Sequence, residues 1–138
     1  MADSLLPRYM LDPNVCLYAM RGNVSVLKKF QEHGKEALGI SSLVLAEMAY
    51  GVAKSQHVQT NMQALKQFQA SMTIVPWDES AMWVYGERYH MLKSSGRKIG
   101  EVDLLLGCQA LAMNAVFVTN NTREFERIDG LKLENWAE

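Results

Sequence analysis

Short apolar segments alternate with longer segments of helical periodicity along the whole sequence. This alternation predicts a parallel β-sheet covered by helices on both faces, because parallel strands are joined by helical crossovers. The predicted strands are residues 9–11, 37–40, 72–75, 115–119 and 131–133. The predicted helices are residues 13–22, 24–33, 42–51, 58–70, 78–94 and 102–113, with a short one around Phe125.

The length and composition predict one globular domain over residues 1–138. Of these residues, 49% are hydrophobic and 21% are charged, which allows a sizeable core. The formal net charge is −1. A protein that binds nucleic acid mainly through charge would be more basic, because Lys and Arg contacts to phosphate dominate such affinity. The charge therefore argues against a plain nucleic-acid-binding module, but not against an enzyme with an acidic site.

The two cysteines, Cys16 and Cys108, lie in apolar segments with no CxxC partner. We interpret both as buried free thiols of a protein in a reducing compartment. Charged residues interrupt the N-terminal apolar positions, and no run approaches the ~20 apolar residues that a bilayer-spanning helix needs. We therefore expect a cytoplasmic protein with no membrane partner.

Polar residues follow several predicted strands, at the edge where sites form in parallel sheets. Asp12 ends the first strand, residues 41–42 follow the second, and Thr119 and Asn121 lie at the end of the fourth. Asp12 also has a structural interpretation, as the cap of the helix that Pro13 begins.

Carboxylates at further positions could join Asp12 in one site. Glu47 is flanked by apolar residues, so it either marks the solvated face of its helix or is buried and must be paired or bind a metal. Asp103 begins an apolar helix, where the helix macrodipole also favours an acid, and Glu101 is an equal candidate on spacing alone. Three carboxylates at one edge suit Mg²⁺, which prefers oxygen ligands and can activate water against a phosphodiester.

Other catalytic patterns are missing from the sequence. His33, His57 and His90 lie in polar segments with no shared spacing, and we interpret them as surface residues. No convincing Ser or Cys triad, GxGxxG motif or P-loop occurs. A Mg²⁺ phosphatase would be an enzymatic alternative, but the DxD pattern that such enzymes often carry does not follow the first strand.

Four blocks of the sequence resemble, in the same order, the signature blocks of VapC-type toxins in the PIN-domain family. They are MLDPNVCLY at 10–18, ISSLVLAEMAYG at 40–51, GRKIGEVD at 96–103 and VTNNTREF at 118–125. The ending GLKLENW at 130–136 matches as well. Any one block is weak, but the ordered set spans nearly the whole chain and is highly specific.

The resemblance implies a three-layer α/β/α PIN-like domain with a short, mainly parallel sheet. It also implies an endoribonuclease that cleaves RNA phosphodiester bonds with Mg²⁺, for which Mn²⁺ can substitute. By position, Asp12, Glu47 and Asp103 match the metal-binding acids of the family, and this match selects Asp103 over Glu101. Thr119 and Asn14 match polar positions that support the acids.

Two residues depart from the family pattern. Many PIN domains carry a fourth acid at the position of Asn121, a neutral amide that can still take part in catalysis by orienting water. Pro13 stands where a Thr or Ser is usual, so a hydroxyl that could orient Asp12 is lost. These departures support an alternative function, a non-catalytic PIN scaffold that binds an antitoxin or RNA in a regulatory role.

The family also implies partners. RNA, with transfer RNA as the usual target in the family, would contact Arg97, Lys98 and Arg123 in the loops beside the acids. A small cognate antitoxin would occupy an apolar groove, and residues 82–91 carry more large apolar side chains than one buried helix face requires. A homodimer is also expected, through the helices after the second strand.

Overall fold

The structure is a computed structural model that describes residues 6–137. Within these residues five strands form one parallel sheet in the order β3-β2-β1-β4-β5. The strands are β1 (Tyr9–Leu11), β2 (Leu38–Ser41), β3 (Thr73–Val75), β4 (Val116–Val118) and β5 (Lys132–Glu134). The predicted parallel α/β fold is confirmed.

Seven α-helices connect these strands within residues 6–137. They are α1 (Pro13–Met20), α2 (Val24–His33), α3 (Ser42–Ala53), α4 (Val58–Ala70), α5 (Met82–Ser94), α6 (Glu101–Ala112) and α7 (Thr122–Phe125). Short 3-10 turns at Lys35–Ala37 and Glu79–Ala81 precede β2 and α5. No helix in the described range 6–137 has the length and apolar character of a bilayer-spanning segment.

The strand order places a crevice between the ends of β1 and β4. The chain moves from β1 to β2 to β3 on one side and then returns to β4 and β5 on the other. Because β–α–β crossovers are right-handed, α1 to α4 cover one face of the sheet and α5 to α7 cover the other. The connection after β1 runs towards β2 and the connection after β4 runs towards β5, in opposite directions. The carboxyl ends of β1 and β4 are therefore open to a ligand between them.

The core fills both sides of the central strands. All three residues of β1 are buried, as expected for a strand covered on both faces. Gly107 on α6 allows this helix to approach the segment after α7, because a Cβ there would clash with the side chain of Ile128. Cys16 and Cys108 are buried free thiols, which confirms the prediction, and burial raises the pKa of both.

Two details differ from the sequence-based predictions. Asp78 does not cap α5 directly: its carboxylate accepts a hydrogen bond from the backbone N–H of Ser80 and caps the 3-10 turn before it. His33 is not a freely exposed surface residue. It is half-buried, and its ring stacks on that of Trp136 with centroids 5.4 Å apart.

Candidate active site

The ends of β1 and β4 bring Asp12 and Thr119 into contact. Asp12 is only 5% exposed, and its backbone N–H donates a hydrogen bond to the Val118 carbonyl at 2.9 Å. The Thr119 hydroxyl donates to Oδ2 of Asp12 at 2.6 Å. Asp12 stands at the N-cap position of α1, but its side chain makes no capping hydrogen bond. The short hydrogen bond of the carboxylate is therefore directed towards β4, and the Asn14 backbone N–H in the first turn of α1 acts on it from the other side.

The Thr119 hydroxyl joins Asp12 to the loop after β4. Thr119 is fully buried, and its oxygen also accepts a hydrogen bond from the backbone N–H of Asn121 at 3.0 Å. Burial raises the pKa of the Asp12 carboxyl, the Thr119 hydroxyl and the Asn14 backbone N–H act to lower it, and the charge of Glu124 acts to raise it. The pKa remains raised overall, so burial outweighs the hydrogen bonds. Asn14 itself is exposed beside the site.

Asp103 and Glu124 form a carboxyl pair at the start of α6. Burial, the charge of Glu124 and a hydrogen bond shared with Glu124 raise the pKa of Asp103 to about 7, and the charges of Asp12 and Glu47 act in the same direction. A hydrogen bond between two carboxyl groups requires a proton on one of them. The raised pKa therefore keeps the Asp103 carboxyl protonated to a higher pH than an isolated carboxyl.

Glu124 is held in this position by hydrogen bonds from two neighbouring groups. The backbone N–H of Gly100 donates to its Oε1 at 3.2 Å, and the side-chain amide of Asn121 donates to its Oε2 at 2.7 Å. Asn121 occupies the position where the family usually has an acid, and its amide orients the carboxylate of Glu124, one helical turn further along the chain.

Glu47 and Glu101 are the two acids whose place in the site the sequence left undecided. Glu47 is an exposed residue of α3, but partial burial of its carboxyl group and the charge of Asp12 raise its pKa. Its charge also acts on Asp103. Glu101 is exposed and its charge acts on Tyr85 instead. The structure thus joins Glu47 and Asp103 to the cluster and places Glu101 towards α5.

Four carboxylates lie near enough for their charges to raise the pKa values of three of them, Asp12, Glu47 and Asp103. We call all four the acid cluster: Asp12, Glu47, Asp103 and Glu124. In the described part of the chain, no three His, Cys, Asp or Glu side chains come close enough together to hold a metal ion. The donors are nonetheless all oxygen, as a hard divalent cation prefers, and a cation in place of the Asp103 proton would offset their repulsion. The chemistry of the acid cluster therefore fits Mg²⁺.

Glu124 is the residue of the acid cluster that the sequence reasoning missed. Glu124 lies in the block 118–125 that resembles the family, but the family pattern places its acid at the position of Asn121, so Glu124 was not predicted. The available signal was helical spacing, since Asn121 and Glu124 are three residues apart and face each other across one turn.

The basic residues expected to contact RNA lie near the acid cluster. Arg97, Lys98 and Arg123 are all exposed, the first two in the loop before α6 and the third on α7 next to Glu124. Lys98 is linked to the segment after α7, because its carbonyl accepts a hydrogen bond from Arg127. That these three residues contact RNA stays a prediction.

A parallel three-layer domain with carboxylates at the switch point of its sheet is the type of protein that binds a hard cation at that edge. The family model of the PIN domain matches residues 9–131. Ribonuclease VapC2 of Rickettsia felis is 40% identical over 135 residues, which cover 93% of this chain and 97% of that protein. The tRNA(fMet)-specific endonuclease VapC of Shigella flexneri is 31% identical over 130 residues, or 94% of this chain and 98% of that protein.

A solved structure agrees with these relatives. The crystal structure of DNA-bound VapBC from Salmonella typhimurium contains a chain with a TM-score of 0.90 and 30% identity, covering 95% of this chain and 99% of that one. The chain therefore belongs to the PIN-domain family, in the group of VapC ribonucleases. The resemblance inferred from the sequence, its predicted fold and its predicted enzyme class are confirmed.

Proposed function

We propose that this chain is the Mg²⁺-dependent endoribonuclease toxin of a toxin–antitoxin pair and that it cleaves transfer RNA. The acid cluster is the observation that carries this proposal, because it gathers carboxylates from β1, α3, α6 and α7 at one edge of the sheet. Such a cluster costs stability unless a cation or a proton compensates its charge. The relatives support the substrate class, since one is named a ribonuclease and another a tRNA(fMet)-specific endonuclease.

No three of these carboxylates form a ready-made metal site in the described residues, so a cation would have to draw Asp12, Asp103 and Glu124 together, with Glu47 at the exposed side. When bound there, Mg²⁺ supplies an activated water and stabilises the charge that develops on the phosphate. The hydroxyl of Thr119 fixes the carboxylate of Asp12 before the cation arrives. Second-sphere hydrogen bonds of this kind reduce the cost of ordering the ligands.

The proton that Asp103 holds beside Glu124 has a role in this scheme. It must leave when both carboxylates become ligands, so cation affinity rises with pH through the neutral range. A carboxylate of the cluster that is free of the cation accepts a proton from the attacking water. The water oxygen would bond to phosphorus as the bond from phosphorus to the leaving ribose oxygen breaks, and that oxygen would take the proton that the carboxylate accepted.

The two departures from the family pattern do not favour the non-catalytic scaffold. Pro13 occupies the first position of α1, where a missing N–H costs nothing, and Thr119 holds Asp12 in place of a hydroxyl at position 13. Asn121 orients Glu124, which brings an acid to the cluster from the same turn. Both departures are therefore compensated by residues that contact the acid cluster.

The proposed partner is a small antitoxin. The VapBC family is one of toxin–antitoxin systems, and the Salmonella complex named above belongs to it by name. On α5, Trp83 is 77% exposed and Met82 is 48% exposed, which leaves an apolar surface for a partner to cover. A homodimer through α3 and α4 is also proposed, since Tyr50 on α3 is 66% exposed. We expect the pair to act in the cytoplasm, where its RNA substrate is and where free thiols stay reduced.

Cleavage of purified transfer RNA tests the proposed function. The antitoxin-free protein is incubated with Mg²⁺, Mn²⁺ or EDTA, and new RNA ends are mapped. We expect cuts at a few sites that require the cation and disappear in Asp12→Asn. The matched control is Glu101→Gln, which removes an exposed carboxylate outside the acid cluster and should leave cleavage within about twofold of the original.

Two results would overturn the proposal. If the folded protein cleaves no RNA with either cation, the non-catalytic scaffold replaces the nuclease. If cleavage persists in EDTA and in Asp12→Asn, the acid cluster is not the active site.

A further inference from the structure

Three arginines line a cavity beside the acid cluster. The cavity has a volume of about 220 Å³ and lies between α5, the loop that follows it and the segment after α7. Arg88 comes from α5, Arg97 from the loop and Arg127 from the last segment, and Asp129 also lines the wall. The lining therefore carries a formal charge of +2, in a chain whose net charge is −1.

Backbone carbonyls hold two of these arginines in place. The Nε of Arg88 donates to the Asp129 carbonyl at 3.0 Å, and Nη1 of Arg127 donates to the Lys98 carbonyl at 2.5 Å. Carbonyl partners position a guanidinium without neutralising its charge, and each guanidinium keeps further N–H donors free.

Carboxylates neutralise little of this charge. Arg88 approaches Glu87 at 3.5 Å, but the Glu87 side chain is 70% exposed and such a pair contributes little. Arg97 has no ion pair within residues 6–137. The cavity thus offers a preformed positive site for an anion.

One loop separates this cavity from the acid cluster. Gly100 donates its backbone N–H to Glu124 on the side of the acid cluster, while the carbonyl of Lys98 accepts from Arg127 on the side of the cavity. Two residues span at most ~7 Å of extended chain, so the two sites are close neighbours. Glu124 and Arg127 are also linked, by a backbone hydrogen bond of 3.2 Å.

We propose that this arginine cavity binds a backbone phosphate of the RNA next to the phosphate that is cut. Guanidinium groups match the oxygens of phosphate bidentately and stay charged at every relevant pH, whereas the acid cluster would repel RNA without a cation. The cavity would hold the strand in register while the acid cluster acts on the neighbouring linkage. This inference rests on the proposed function and adds a phosphate subsite to it.

The first test measures RNA binding without cleavage. A fluorescent single-stranded RNA is titrated, in EDTA, with the original protein and with Arg97→Gln, Arg127→Gln and the control Arg21→Gln. Arg21 is exposed at the far end of α1, so its variant matches the change in charge outside the cavity. We expect about a tenfold weaker affinity in the two cavity variants and a salt slope reduced by about 0.7, as for one lost phosphate contact of a single strand. The control should retain both.

Arg97→Gln is the decisive variant if Arg127→Gln alters the loop. Arg97 is exposed, so its replacement should leave the melting temperature unchanged. Equal affinity and equal salt slope in Arg97→Gln and the original protein would overturn the inference. The carboxylate of a peptide would then be the better candidate ligand for the cavity.

A second test locates the phosphate and separates this inference from the proposed function. RNAs that carry a single neutral methylphosphonate linkage are compared, one position at a time. The original protein should bind one of them about tenfold more weakly than the unmodified RNA, and Arg97→Gln should not distinguish the two. If no position shows this pattern, the inference is wrong. If it appears but the protein cleaves no RNA with Mg²⁺, the subsite stands and the nuclease proposal fails.

Discussion

The two ends of strand β1 have opposite chemistry. At its start, the ring of Tyr9 lies 4.4 Å from that of His33 and 5.1 Å from that of Trp136, measured between centroids. At its end, Asp12 is buried among polar and acidic groups. Both ends are equally inaccessible, with Tyr9 at 6% and Asp12 at 5% exposure. The difference therefore lies in what surrounds each end.

At the Tyr9 end, the indole N–H and the backbone carbonyl of Trp136 both have hydrogen-bond partners. The indole N–H of Trp136 donates to Glu134 at 2.8 Å, and its backbone carbonyl accepts from the Ser25 hydroxyl at 2.7 Å. Trp136 is 1% exposed and fills the space between β1 and α2. Buried aromatic rings with paired polar atoms stabilise the fold.

The Asp12 end leaves unfavourable charge interactions in place. Burial and neighbouring carboxylates raise the pKa of Asp12, Glu47 and Asp103. An arrangement that costs stability and lies in a crevice is typical of a functional site. One short strand thus supports stability at its start and ligand chemistry at its end.

Asp12→Asn should have the largest effect of all substitutions at the Asp12 end. The amide keeps the shape of the side chain but loses a cation ligand, so RNA cleavage should fall by at least about a hundredfold. Thermal unfolding without metal should show a melting temperature that is unchanged or higher, because a repelling charge is removed. A variant that loses activity only because it unfolds would contradict the comparison.

Trp136→Ala should have the largest effect at the Tyr9 end. Removing a fully buried tryptophan should lower the free energy of unfolding by about 3–5 kcal/mol, measured by denaturant titration. The folded fraction should still cleave RNA, since Trp136 is remote from the acid cluster. The control is Trp83→Ala, where the indole is 77% exposed and the expected change is below about 0.5 kcal/mol. Equal destabilisation by Trp136→Ala and Trp83→Ala would show that the buried aromatic cluster at the Tyr9 end does not stabilise the fold as we expect.

Thr119→Val tests the support of Asp12. The isosteric methyl group cannot donate to Asp12 or accept from the Asn121 backbone, so cleavage should fall by about 10–100-fold, the usual range for a lost second-sphere partner. Thr119→Ser should restore most of the activity because it returns the hydroxyl. Thr60→Val, at an exposed position of α4, is the matched control. If Thr119→Ser is as impaired as Thr119→Val, packing rather than the hydrogen bond is responsible.

Asp103→Asn should change how stability depends on pH. The folded pKa of about 7 lies above the ordinary 3.8, so the contribution of Asp103 is fully present below about pH 4 and is lost as pH rises through about 7. The metal-free original protein should therefore melt at a lower temperature at pH 8 than at pH 6. In the variant, the melting temperature should decrease less between pH 6 and pH 8, and the free energy of unfolding at pH 8 should be higher by about 1 kcal/mol. This value is small because solvent screens a half-exposed carboxyl. Glu101→Gln should leave the pH dependence as it is.

The sequence predicted the sheet and three residues of the acid cluster, Asp12, Glu47 and Asp103, because the signals were local. Strand β1 is a short apolar run ended by Asp12, and Pro13 begins α1 as its fixed φ requires. The apolar run and Pro13 do not reveal the order of the strands in the sheet. Sites in parallel sheets form at the carboxyl ends of strands, however, and this rule placed Asp12 and Thr119 at one edge. Their contact at 2.6 Å agrees with that prediction.

Other features depend on tertiary contacts that no local pattern encodes. Glu124 looks like an ordinary helix-surface acid until Gly100, from a distant loop, donates to it. His33 looks like a surface residue until Trp136, more than a hundred positions later, covers its ring. Spacing could have paired Glu124 with Asn121, but the contact from Gly100 and the ring of Trp136 come from the packing of remote segments, which no local pattern encodes.

Titration with Mn²⁺ is the most direct test that the acid cluster is one cation site. Isothermal calorimetry of the original protein is compared with Asp12→Asn, Glu124→Gln and Glu101→Gln at pH 8. We expect Mn²⁺ binding that is at least about tenfold weaker in Asp12→Asn and Glu124→Gln and unchanged in Glu101→Gln. Binding that is equal in the original protein and Asp12→Asn, or absent from the original protein, would contradict this expectation.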